Sequence, residues 1–98
     1  MYKDIINYEL AENVSIEQLL EVAKQVVRDW MMAQPGFISW EIHTNNEGSF
    51  TDIVCWQSEK DAKNAEKDMM NLPIATNWFS CYKEGSISSK NITQLAKF

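Results

Sequence analysis

One stretch constrains this chain more than any other. Ile16, Leu19, Leu20, Ala23, Val26, Val27 and Trp30 recur at helical spacing. At ~100° per residue they fall within an arc of about 120°. Glu17, Gln18, Glu21, Lys24, Gln25, Arg28 and Asp29 fill the opposite side. Ser15-Ile16-Glu17-Gln18 precedes the stripe in the form of a capping box: the Ser hydroxyl can accept from the third helical amide and Gln18 can reach back to the cap. Pro35-Gly36 then stops the helix and turns the chain. A helix with one apolar face must dock on something flat and apolar. Each large side chain buried there contributes roughly 1.5–3 kcal/mol before ordering entropy is subtracted.

The flat partner is a sheet. Residues 2–10 read as a strand, with Ile6, Tyr8 and Leu10 on one side and Lys3, Ile5, Asn7 and Glu9 on the other. From Phe37 to Thr44 the chain alternates: Ile38, Trp40 and Ile42 point one way, Phe37, Ser39, Glu41 and His43 the other. Asn45-Asn46-Glu47-Gly48 is a turn sequence, and residues 50–56 resume an extended pattern, so the two runs predict a β-hairpin. Ser58-Glu59-Lys60-Asp61 opens a second helix with the stripe Ala62, Ala65, Met69 and Leu72. Pro73 interrupts it. A short helix over residues 74–82 can bury Ile74, Trp78 and Cys81, and Gly85 ends it. Residues 86–96 read as a last strand. The order β-α-β-β-α-β is the split βαβ arrangement of a ferredoxin-like α+β fold: a four-stranded antiparallel sheet with both helices on one face.

That order leaves a face bare. Ile5, Phe37, and either Ile53 with Cys55 or Phe50 with Val54 and Trp56 must point away from the helices. Such a face would be an apolar patch of several hundred Å², which soluble monomers rarely expose. At 98 residues the chain suits a single domain spanning 1–98 and has nothing left to cover the patch. A second copy packed sheet to sheet would cover it, which predicts a homodimer.

Composition removes several classes of function. Net charge is −5, and no Lys/Arg run opposes it locally. Nucleic acid and anionic membrane surfaces are therefore not expected partners. No apolar run approaches bilayer length and no secretory leader pattern is visible, so the expected location is cytoplasmic. Cys55 and Cys81 make no CxxC motif and read as buried thiols. His43 is the single histidine, so no His/Cys/carboxylate cluster has metal-ligand spacing. There is no phosphate-binding glycine loop and no nucleophile motif.

The chain resembles the dimeric α/β-barrel superfamily, in particular antibiotic-biosynthesis-monooxygenase-like proteins. The resemblance rests on the long helix ending in Gln34-Pro35-Gly36-Phe37, the hairpin, Trp56-Gln57-Ser58 at the opening of the second helix, and Asp61-Ala62-Lys63-Asn64-Ala65. These anchors are a stop, a packing aromatic and a cap. None is catalytic. The resemblance implies a homodimer with a cavity between sheet and helices. It further implies a cofactor-independent monooxygenase acting on a small aromatic molecule; the alternative is a non-enzymatic ligand-binding or stress-associated protein on the same scaffold.

Haem-degrading members use a first-strand Asn, a Trp in the second helix and a His further along as iron ligand. Asn7 matches the first, but residues 60–70 hold no Trp and residues 74–82 no His. Without an imidazole the iron lacks its expected ligand, so no cofactor is expected. Cofactor-free oxygenation needs an apolar aromatic slot and polar groups that hold the substrate oxygens. Four Trp, three Tyr and four Phe can build the slot. Asn7, Glu41 and His43 are the candidate polar, catalytic groups if their strand faces point inward. Trp30 and Trp40 read as core by periodicity, which leaves Trp78 as the candidate ligand-binding aromatic.

Overall fold

The computed structural model describes residues 1–98. The capping box forms as drawn: Ser15 Oγ accepts the Gln18 amide at 3.1 Å and Gln18 Oε1 accepts the Ser15 amide at 2.7 Å. It launches helix α1 (Ile16–Asp29), and a single 3-10 turn (Met31–Ala33) leads into the Pro35-Gly36 stop. Strand β1 (Tyr2–Glu9) precedes α1; strands β2 (Phe37–Thr44) and β3 (Ser49–Trp56) form the hairpin. Helices α2 (Glu59–Met69) and α3 (Ala75–Phe79) follow, and strand β4 (Ser88–Thr93) closes the chain, shorter than the predicted 86–96. Ser58 caps α2 by accepting the Asp61 amide. No helix is long and apolar enough to cross a membrane.

The strands lie in the order β2-β3-β1-β4, every pair antiparallel. This is the ferredoxin-like βαββαβ fold. Its register decides which side chains meet. Tyr2, Asp4, Ile6 and Tyr8 of β1 stand opposite Trp56, Val54, Asp52 and Phe50 of β3, all facing the helices. Leu19, Ala23, Val26 and Trp30 of α1 pack down on this layer, with Ala62 and Ala65 of α2 and Trp78 of α3. The apolar arc of α1 is narrower than its sequence stripe: Ile16 and Leu20 remain exposed. Leu20 and Val27 instead form, with Met32, Trp40 and Ile42, a shallow groove between α1 and β2.

On the far face β3 presents Thr51, Ile53 and Cys55, which settles the parity left open by sequence. Phe37 is a correction. The β2–β3 register shifts between Phe37 and Ser39, so Phe37 sits opposite Trp56, on the helix side, and its ring meets the Trp56 ring edge-on at 5.7 Å. The bulge inserts one residue and resets the alternation. Trp40 and Ile42 then face the helices while Ser39, Glu41 and His43 do not. The far face is thus less apolar than expected. Ile5 and Ile53 stand side by side at its centre with Cys55 and Ile92, and Lys3, Asn7, Thr51, Glu41 and Lys90 surround them. Both cysteines are free and buried.

Candidate functional site

Between the helix layer and the sheet lies a cavity of about 410 Å³. Strand parity puts Tyr2, Asp4, Ile6 and Tyr8 of β1, Trp40 of β2, and Asp52, Val54 and Trp56 of β3 into its floor. Lys63, Glu66 and Met69 of α2 close one side, and Trp78, Phe79 and Tyr82 another. Small side chains keep it open: Ala62 and Ala65 face it from α2, where larger residues would fill the space.

Asp52 is the feature sequence reading missed. It is 2% exposed, in the middle of a central strand. Tyr8 donates its hydroxyl to Asp52 Oδ1 at 2.8 Å, and Trp40 donates its indole N–H to Oδ2 at 3.1 Å. None of the ion pairs in the fold involves it. Burial, only partly offset by the Tyr8 and Trp40 hydrogen bonds, raises its carboxyl from the ordinary 3.8 to about 6. Burial also raises the Tyr8 hydroxyl far above its ordinary range, helped by the charge on Asp52. Tyr8 therefore acts as a donor and not as an acid. A signal for Asp52 was present: Phe50, Val54 and Trp56 share its parity, and a carboxylate in that series has to be buried.

A second network lies alongside. Trp78 donates its indole N–H to Tyr82 Oη at 2.6 Å. The Tyr82 hydroxyl hydrogen is left without a protein acceptor, and its ring meets the Tyr8 ring edge-on at 4.6 Å. Trp78 also packs against Trp40 and Phe79, with ring centroids 5.6 Å and 5.0 Å away. Elsewhere on the wall, the buried Trp56 indole N–H leans toward Asp4 without reaching hydrogen-bond geometry, and it has no other partner. Burial, then the nearby Glu66 carboxylate, raises the Asp4 carboxyl.

Of the residues named from sequence, Trp78 stands in the cavity wall. Asn7, Glu41 and His43 do not. All three lie on the sheet face away from the helices, because the inward positions of β1 and β2 go to Tyr8, Trp40 and Ile42. There Asn7 Oδ1 accepts the Thr51 hydroxyl at 2.6 Å, and His43 Nε2 meets Glu41 Oε1 at 2.8 Å in solvent. Asn7 therefore cannot serve as the first-strand Asn of a haem pocket on the helix side. No group of three or more His, Cys, Asp or Glu side chains is arranged to hold a metal ion.

The raised Asp52 carboxyl has a consequence for stability. Between about pH 4 and pH 6 the folded state keeps a proton on Asp52 that the unfolded chain releases. Unfolding free energy should therefore fall as pH rises through that window, by on the order of 2–3 kcal/mol. Asp4 adds to the same trend, its carboxyl being raised as well. Urea titrations from pH 4 to pH 8 measure the slope; a stability that climbs with pH would show that Asp52 is not desolvated.

A four-stranded antiparallel sheet with helices on one face defines a class of small α+β proteins, and several solved structures share that fold. No family model matches the chain, and no curated protein is similar to it in sequence. SnoaB, a cofactor-independent oxygenase from Streptomyces nogalater, superposes with a TM-score of 0.77 at 14% identity, covering 98% of this chain and 94% of its own. The ActVA-Orf6 monooxygenase of Streptomyces coelicolor, solved with nanaomycin D, gives 0.71 at 14% identity, covering 99% of this chain and 89% of its own. Rv0793 from Mycobacterium tuberculosis gives 0.67 at 10% identity, covering 99% and 98%. The fold is that of the antibiotic-biosynthesis-monooxygenase-like proteins, as the sequence resemblance implied. At these identities the likeness is one of fold.

Proposed function

We propose that the cavity binds a small hydroxylated aromatic molecule and that the protein oxygenates it without a cofactor. The carrying observation is the cavity itself: an aromatic slot holding a buried carboxylate with unused lone pairs beside an uncommitted tyrosine hydroxyl. Apolar aromatic walls favour a flat ring system. The carboxylate takes a hydroxyl donor, and the Tyr82 O–H and Trp56 N–H supply donors for ligand oxygens. In the general chemistry, removing a phenolic proton spreads negative charge onto a ring carbon, which can then react with dioxygen. Likeness of fold to SnoaB and ActVA-Orf6 supports this reading. Trp78 is the proposed ring-stacking contact.

We also propose a homodimer packed through the far sheet face around Ile5 and Ile53, and a reducing, cytoplasmic setting consistent with two free thiols. Oxygen consumption with a panel of hydroxylated anthrones and naphthols tests the activity. Uptake above the buffer rate, lost in Trp78→Ala through a raised KM, is the expected result. Tight binding with no uptake across the panel would leave a ligand-binding protein and end the oxygenase proposal.

A further inference from the structure

We propose that Asp52 is the catalytic base: it takes the hydroxyl proton of the phenolic ligand, while the Tyr82 hydroxyl donates to the same ligand oxygen. The assignment rests on the hydroxylated aromatic proposed above, and it adds the residue, the atom and the direction of proton flow.

The geometry argues for it in three parts. First, position: Asp52 lines the cavity from β3, and Tyr8 and Trp40 each fix one of its oxygens, so its carboxylate is pre-oriented. A carboxylate has about four lone-pair sites, and two donors leave the others for a ligand. Second, charge: no Lys or Arg pairs with it. Two neutral donors and no paired cation hold its anion, so it is basic for a carboxylate; the phenol proton still moves to it against a difference in acidity, which the Tyr82 donor on the ligand oxygen offsets. Third, elimination. The other titratable groups around it are Tyr2, Asp4 and Tyr8 on β1, Cys81 and Tyr82 beyond α3, Lys63 and Glu66 on α2, and His43 on β2. Tyr2, Tyr8, Tyr82 and Cys81 are raised by burial and stay protonated. Lys63 and Glu66 pair with each other in solvent at 3.8 Å. His43 is on the other sheet face. Asp4 lies toward Glu66 and Lys63 rather than toward Tyr82.

The step balances simply. The ligand O–H bond breaks, its proton forms an O–H bond on Asp52, and the electron pair stays on the ligand oxygen and delocalises to a ring carbon. Dioxygen, the co-reactant, adds to that carbon. The proton returns from Asp52 to the distal oxygen of the peroxide; the O–O bond then breaks as the oxygenated carbon loses its hydrogen as a proton, the distal hydroxide and that proton leave as water, and the carbon becomes a ring carbonyl. One dioxygen is consumed and one water released, with the base restored.

Dithranol, a dihydroxylated anthrone, separates proton transfer from oxygenation when it is bound without oxygen. Wild-type protein should bind it and develop part of the absorption of the ionised ring at pH values where free dithranol shows none, because the Tyr82 and Trp56 donors stabilise the ring anion, with an inflection where the Asp52 carboxyl ionises. Asp52→Asn should bind it without that absorption. Asn at this position can still accept from Trp40 and donate to Tyr8, so its fold should persist, as circular dichroism would confirm. In air its turnover should fall by about 10²–10⁴. Tyr8→Phe removes a donor from the carboxylate and should move the inflection to higher pH. An Asp52→Asn protein that ionises the probe like wild type, or a Tyr8→Phe inflection that does not move, overturns the assignment alone. A wild-type protein that binds no phenol overturns the ligand proposal with it.

Discussion

Gly36→Ala is expected to destabilise the fold by roughly 2–4 kcal/mol, more than any other single methyl addition to the backbone. Gly36 has φ +79°, a conformation that L side chains rarely adopt, and it is the hinge between α1 and β2. Holding alanine there costs about 1–2 kcal/mol. Space makes it worse. A Cβ on Gly36 would sit 2.6 Å from Asp61 Cβ and run into the Asp61 carboxyl. Asp61 cannot simply swing away, because its amide and carboxylate both engage Ser58 at the cap of α2. The Gly36 carbonyl also accepts the Gln57 amide at 2.8 Å, which ties the same turn to the end of β3. For a domain of this size the loss should lower the melting temperature by roughly 10–25 °C. Gly48→Ala is the control. Its φ is +91°, but a Cβ there meets nothing within 4 Å. Thermal melts of the two variants therefore separate conformation from contact. Equal melting temperatures would show that Asp61 yields at little cost.

The second large effect concerns assembly. Ile53→Lys should convert the proposed dimer into a monomer of 11.4 kDa. In a two-fold interface the change enters twice, at the centre of the apolar patch. Two charges that are hydrated in the monomer and must lose water in the interface should weaken association by roughly 3–6 kcal/mol, or about 10²–10⁴ in Kd. The monomer itself should survive. Ile53 is only half-buried, and its cross-strand neighbour is Glu41, with which a lysine can pair in water. Light scattering at micromolar concentration reads the result. A variant that keeps twice the monomer mass would move the interface elsewhere, and the Leu20–Val27–Met32 groove beside α1 would be the next face to test.

Much of this architecture is legible from residues alone, because local signals and tertiary demands agree. The Ser15 box starts α1, Pro35-Gly36 stops it, Asn45 to Gly48 turns the hairpin, and Ser58 caps α2. What stays hidden depends on one residue of register. A strict alternation from Phe37 places Phe37 and Trp40 on opposite faces, yet the bulge before Ser39 puts both against the helices. Asp52 is hidden for a different reason. Its polarity marks it as outward, and only the shared parity of Phe50, Val54 and Trp56 overrides that. The polar groups singled out from sequence, Asn7, Glu41 and His43, have suitable chemistry but the wrong strand parity. The exposed Leu20 has the right spacing on α1 but borders the shallow groove beside Trp40 and Ile42 of β2 and is left partly in solvent.

The irregularity in β2 also bears on how the protein behaves when concentrated. β2 is a boundary strand, and its outer amides and carbonyls are available to any neighbour that arrives extended. An extra residue near its start breaks the even spacing that such a neighbour would have to match, and adds local twist. The opposite boundary, β4, is six residues long, and Lys90 sits within it. Neither rim offers a long, flat, uncharged template, so open-ended stacking of molecules strand against strand is disfavoured at both ends of the sheet.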